Sequence, residues 1–123
     1  MKINFSLCDE FEKEFKQLYK KYPSLEKDFF DVKNALEINP ILPQTERIDN
    51  LWKDIILPVY KMRKVFCESL QSNSKLRIIY IYDNTNNEIQ FIQFLEIYTK
   101  SNKDNEDKDR IYKYCRWKST LAE

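Results

Sequence analysis

The sequence predicts an α+β domain: a small, mostly antiparallel sheet with an N-terminal helical hairpin packed on one face and a C-terminal helix. Three observations predict it. Apolar residues recur at helical spacing between residues 9 and 36, three β-rich runs crowd between residues 59 and 100, and the spacing turns helical again after residue 106. At 123 residues and 15.1 kDa the chain can bury one modest core but is too short for a separate substrate domain, so residues 1–123 are read as a single domain.

Residues 2 to 7, KINFSL, read as an opening strand with Ile3, Phe5 and Leu7 on one face. Asp9 is placed to cap the helix that follows, in which Phe11, Phe15, Leu18, Tyr19 and then Tyr22 form an apolar stripe opposite lysines and glutamates. Tyr22-Pro23-Ser24 breaks this run and offers Ser24 as the N-cap of a second helix. There Leu25, Phe29, Val32 and Leu36 follow i, i+4, i+7, i+11 as far as Asn39-Pro40. Pro40, Pro43 and Pro58 then mark an irregular connection, within which RIDNLWKDII suits a short helix with Trp52 packed inward.

Strands are expected near residues 59 to 68, 76 to 83 and 88 to 100, the last two joined by DNTNNE, where Asp and Asn do the work of absent glycine. Strand order does not follow from the sequence. A final helix is expected from about Glu106 to Trp117, with Ile111, Tyr114 and Cys115 at inward-compatible positions. Two helices on one face of such a sheet leave the other partly open, and that open face is where function is expected.

Composition excludes several chemistries. With no histidine, imidazole bases, histidine-containing triads and histidine-based zinc sites are ruled out. With no glycine, Walker and Rossmann phosphate loops are ruled out, because those need close backbone approach to the phosphate. The three cysteines are odd in number and lack CxxC spacing, so no disulfide framework or zinc ribbon is indicated and a reduced, cytoplasmic chain is expected. No cofactor or metal is expected. No apolar run approaches 18 residues and no signal-peptide pattern opens the chain, so membrane insertion and export are not expected.

Lys and Arg number 21 against 20 Asp and Glu, so bulk charge does not suggest a protein that coats nucleic acid; distribution has to carry any electrostatic argument. Lys61 and Arg63 lie two residues apart on a strand and project to one side, Arg77 begins the next strand, and Tyr98 and Lys100 share a face at the end of the last. Were they to converge, guanidinium and ammonium groups would bind a phosphodiester by charge-assisted hydrogen bonds. Alternating cations are equally what a solvated strand face looks like, and periodicity does not decide between the two. Most aromatic residues fall in core patterns, Phe11, Phe15, Phe29 and at least one of Phe91 and Phe94 among them, while Tyr98 and Tyr112 are open to either role. The acidic run from Asp104 to Asp109 lacks the glycine and closing glutamate of a calcium loop and reads as helix N-terminal charge.

In their order these segments resemble the RelE/ParE superfamily of bacterial toxins, and within it the RelE-like mRNA interferases. KEFKQLYKKYPSL resembles that family's first helix and Tyr-Pro-Ser turn, VYKMRKVF its Lys-x-Arg strand, LRIIYIYD its Arg-Ile-Ile-Tyr strand, and FLEIYTKSNKDNEDKDRI its closing Ile-Tyr-x-Lys signature. The resemblance spans about Phe11 to Tyr114. It implies the toxin of a type II toxin–antitoxin module, an endoribonuclease that inhibits translation by cleaving mRNA through attack of the RNA's own 2′-hydroxyl, in many members on the ribosome. By the same resemblance Lys61 and Arg63 hold the scissile phosphate, Arg77 supports them, Tyr98 and Lys100 are candidates for proton transfer, and Lys64, Lys75 and Lys103 contact RNA. The implied partners are a cognate antitoxin and mRNA, with DNA met only through the antitoxin complex. Departures are the Ser69–Ser74 connection, where relatives commonly have glycines, and Ser101-Asn102 after Lys100, where some members have an arginine. Two other classes stay open: a ParE-like toxin that inhibits DNA gyrase by binding protein, and an inactive member that binds an antitoxin-like partner.

Overall fold

The first alternating run forms β1 (Lys2–Leu7), and the two helical patterns form α1 (Asp9–Lys21) and α2 (Leu25–Ile38). In the computed structural model, which describes residues 2–49, 51, 55, 57–70, 76–86 and 88–122, these are followed by β2 (Thr45–Arg47), β3 (Val59–Val65), β4 (Leu76–Asp83), β5 (Ile89–Thr99) and α3 (Lys108–Ala122). The fold is α+β. Its strands form one open sheet in the order β1-β5-β4-β3-β2, in which β1 runs parallel to β5 and the other pairings are antiparallel. Trp52 and Lys75, singled out from the sequence, lie outside the described residues.

The first two helices end where proline forbids another turn: α1 just before Tyr22-Pro23 and α2 just before Asn39-Pro40. The expected caps differ in detail. Cys8 occupies the N-cap of α1, and Asp9 joins Glu10 and Glu12 in the first turn, where their charge suits the helix dipole as Lys20 and Lys21 do at the other end. Ser24 has helical backbone angles and makes no capping bond. Its hydroxyl donates to the buried Asp28 carboxylate at 2.8 Å and accepts the Ser69 N–H at 2.8 Å, while Asp28 also accepts the Glu68 N–H at 2.9 Å. The serine is used as a clamp between the start of α2 and the segment that follows β3.

The helices pack on the sheet through aromatic rings. Phe94, fully buried at the middle of β5, lies 4.9 Å from Phe29, 5.6 Å from Phe11 and 5.9 Å from Phe5, centroid to centroid. Burying a phenylalanine of this kind contributes roughly 1.5–3 kcal/mol, which accounts for the helical pair seating at this point. Next to it, Tyr80 stacks on Tyr60 at 5.6 Å and donates its hydroxyl to the Pro40 carbonyl at 2.7 Å.

β1 pairs only with residues 89–94 of β5, so the end of β5 has a free outer edge. Side chains finish it. The Leu95 carbonyl accepts from the Cys8 thiol at 3.2 Å and from Arg110 Nη1 at 2.9 Å, and the Ile97 N–H donates to Glu14 at 3.3 Å. Arg110 also grips Glu14 with both Nη atoms, at 2.8 and 3.1 Å, which ties α3 to α1. The cysteines Cys8, Cys67 and Cys115 are buried thiols. Among the described residues no helix is long and apolar enough to cross a membrane.

The proline-rich connection is not wholly irregular. It contains β2, launched by a turn in which Pro43 is followed by Gln44 at φ 67° and the Thr45 N–H returns to the Leu42 carbonyl at 3.1 Å. A residue with positive φ after proline is the pattern of a type II turn, where glycine is usual. Gln44 bears the cost of the left-handed backbone because the chain has no glycine.

Candidate active site

Sheet register brings the sequence-derived cations together. Glu46 on β2 is opposite Lys61 on β3, Lys61 is opposite Ile79 on β4, and Ile79 is opposite Glu96 on β5. Directly paired residues share a face, so this row crosses four strands on one side of the sheet. Two residues along, Arg77 is opposite Tyr98 on the same side. Arg63 follows Lys61 on β3, just where that strand's register shifts, and its guanidinium reaches Glu46 at 2.6 Å.

This face is not the open, solvated one expected. Lys61, Arg77 and Tyr98 are only 5%, 4% and 5% exposed, and Glu96 is 1% exposed. The segment after β5 accounts for the cover at Lys61 and Glu96. Glu106 bonds Lys61 Nζ at 3.0 Å, Lys103 bonds Glu96 Oε2, and the Asp107 N–H donates to Glu96 Oε1 at 2.8 Å. The acidic run is therefore divided. Asp107 accepts the Arg110 N–H at 3.1 Å and Asp109 lies in the first turn of α3, as helix N-terminal charges do, whereas Glu106 is spent on the sheet.

Two donors are left without partners. Arg77 Nε and the Tyr98 hydroxyl are buried and have no hydrogen-bond acceptor among the described residues. Each such group costs about 1–3 kcal/mol. Burial, together with the Glu106 and Glu96 carboxylates, pushes the Tyr98 phenol up to about 12 against the opposing pull of Arg77 and Arg63. It is thus a neutral donor at ordinary pH. The hydrogen bond from Arg63 holds Glu46 below the usual carboxylate range; burial pushes Glu106 upward, but its own backbone and the Lys61 ammonium outweigh this and hold it low.

The remaining sequence candidates are spread around this centre. Lys100 sits one residue beyond β5 in an exposed turn, not on the strand face with Tyr98. Lys103 spans Glu96 and the Tyr98 ring, 5.6 Å from its centroid. Lys64 is exposed at a groove between α2 and β3 with Asp31, Val32 and Phe66. Tyr112 is half-buried in α3. Sequence reasoning missed the carboxylates Glu46, Glu96 and Glu106. Only Glu96 carried a signal, as an acid inside an apolar strand; the other two acquire meaning from long-range pairing.

Chemically, the face offers a forked cation (Arg63) at its rim, a point cation (Lys61) and a guanidinium (Arg77) deeper in, and a neutral phenol. Donors of these kinds are chemically suited to an anion that carries several acceptor oxygens. The chain matches no protein-family model and no curated protein sequence.

Proposed function

We propose that this chain is an endoribonuclease toxin of a type II toxin–antitoxin module, an mRNA interferase with a RelE-like fold that acts in the cytoplasm and is neutralised by a small partner protein. The observation that carries the reading is the convergence of Lys61, Arg63, Arg77 and Tyr98, from three strands, on one face of the sheet. These are the residues that the family resemblance marks for phosphate chemistry. The helical pair on one face of a mostly antiparallel sheet, with a closing helix, lends further support.

In this reading the 2′-hydroxyl oxygen attacks the adjacent phosphorus, the bond to the 5′-oxygen breaks, and the products are a 2′,3′-cyclic phosphate and a 5′-hydroxyl. The 2′-proton has to leave and the 5′-oxygen has to gain one. Lys61 and Arg63 hold the phosphate, and Arg77, whose Nε has no acceptor of its own, takes the charge that grows on the phosphorane. Arginine does not deprotonate in proteins, so none of the guanidiniums is the base. Tyr98, kept neutral by burial and the nearby carboxylates, is suited to donate a hydrogen bond to a phosphorane or leaving oxygen. The 2′-proton passes to solvent water at the exposed turn that carries Lys100, the proposed proton-transfer partner, and Lys64, Lys75 and Lys103 are the proposed contacts to flanking RNA.

The test is to induce the chain in a bacterial host and map the 5′ ends of a reporter mRNA by primer extension, with Arg63→Ala as control. New ends that require Arg63 and fall in translated sequence support a ribosome-linked interferase, and ends that also appear in untranslated RNA support free ribonuclease action. Growth arrest without new ends points to the gyrase-binding class. Neither arrest nor cleavage points to a partner-binding member, a reading favoured by the burial of Lys61 and Arg77.

A further inference from the structure

We infer that residues 100–107 are a self-inhibitory strap, whose Glu106 carboxylate occupies the place of an RNA phosphate on Lys61 and must be displaced before RNA is bound. This rests on the reading of the face as an RNA-cleaving site and adds to it a regulation built into the chain.

The strap is anchored at two points by one buried carboxylate. Glu96 receives Lys103 Nζ from the middle of the strap and the Asp107 N–H, at 2.8 Å, from its end, while Asn102 and Lys103 both donate backbone N–H groups to the Thr99 carbonyl at 3.1 Å. Held so, the loop carries Glu106 to within 3.0 Å of Lys61, and the two side chains are 12% and 6% exposed. A polyanion cannot reach Lys61 while Glu106 stays there. The same carboxylate acts electrostatically on Arg63 and Tyr98, so a single acid stands among three of the four groups proposed to meet the phosphate.

Two features make the arrangement exchangeable rather than permanent. Residues 101–107, SNKDNED, include no apolar side chain, so what their departure gives up is the polar contacts of Lys103, Glu106 and Asp107, and opening admits water to the groups they leave. The strap also leaves Arg77 Nε and the Tyr98 hydroxyl unsatisfied. A carboxylate has two oxygens to offer, whereas a phosphodiester brings two non-bridging oxygens that share one negative charge and two ester oxygens, and can answer donors that Glu106 does not. RNA therefore gains contacts that the strap lacks, which is the differential needed to shift the equilibrium.

The experiment measures binding of a short 2′-O-methyl oligoribonucleotide, which lacks the attacking hydroxyl, by fluorescence anisotropy. If the site is free in about a tenth of molecules, Glu106→Gln binds about tenfold more tightly than wild type. Asp104→Asn removes the same charge from an exposed position of the strap and is expected to change affinity by less than about twofold. Because Glu106→Gln leaves a buried lysine unpaired and risks misfolding, hydrogen exchange on the wild-type protein is the deciding measurement. Saturation with the oligonucleotide should speed exchange of the Asp107 amide. Unchanged protection of that amide in the RNA complex overturns the strap, as does equal tightening by Asp104→Asn. If, in that case, wild type still binds and Arg63→Ala does not, the RNA site stands without its strap. If neither wild type nor Glu106→Gln takes up RNA, the RNA reading itself falls and the strap falls with it.

Discussion

Neutralising Glu106 tests how a nearly inaccessible lysine is held on this sheet. Lys61 is 5% exposed and its ion-pair partner is Glu106 at 3.0 Å. Removing one side of a buried pair costs about 3–5 kcal/mol, because the remaining charge loses its counter-ion without regaining water. Glutamine keeps a neutral acceptor in place, so Glu106→Gln should destabilise by about 2–4 kcal/mol. Lys61→Met is expected to cost only about 1–2 kcal/mol, since Glu106 rides on a polar loop and can turn toward water. Replacing both, as Lys61→Met with Glu106→Leu, should return stability to within about 1 kcal/mol of wild type. Urea unfolding followed by circular dichroism gives all three values. A deficit below about 0.5 kcal/mol for Glu106→Gln, or one smaller than that of Lys61→Met, would refute the reasoning, because the lysine would then not depend on its partner.

Arg77→Met removes a buried guanidinium that has no ion pair among the described residues. It should leave stability unchanged or raise it by about 1 kcal/mol while lowering RNA cleavage at least about 100-fold; parallel urea unfolding and single-turnover cleavage would expose a purely structural arginine by a loss of stability. Gln44→Gly relieves the positive φ before β2 and should stabilise by up to about 1 kcal/mol, read as a higher Tm, whereas Gln44→Ala should bring no gain. Hydrogen bonds from Tyr114 and then Lys113 lower the Glu10 carboxyl from 4.5 to about 2. A depressed folded pKa gives stability that is present above about 4.5 and lost as pH falls through about 2, so Glu10→Gln should flatten the acid unfolding profile between those values, and an unaltered profile would count against the contact.

Local patterns made most of the elements legible. The i, i+4, i+7 recurrence in α1 and α2 and the proline stops at Pro23 and Pro40 are properties of neighbouring residues, and the structure follows them closely. What the pattern did not reveal depends on distant partners. β2 is three residues long and exists because β3 lies beside it, so its own sequence, TER, carries no strand periodicity. Ser24 has the chemistry of a cap, but Asp28 and Ser69 compete for its hydroxyl and win. The parallel pairing of β1 with β5 joins the first strand to the last and leaves no mark on either strand alone.

The candidate site was legible by half for the same reason. Alternation along β3 places Lys61 and Arg63 on one side whatever lies opposite, so the cations could be named from the sequence. Their counter-charges could not, because Glu46, Glu96 and Glu106 come from an edge strand, a central strand and a loop that meet only in the folded sheet. A net charge of +1 thus conceals a face on which Lys61, Arg63 and Lys103 each hold a carboxylate while Arg77, among the described residues, holds none. Stability alone does not account for that exception, since a satisfied apolar residue at position 77 would avoid the cost of an orphaned donor. An incoming anion does account for it, and the opposed effects expected of Arg77→Met on folding and on cleavage follow from that one unpaired group.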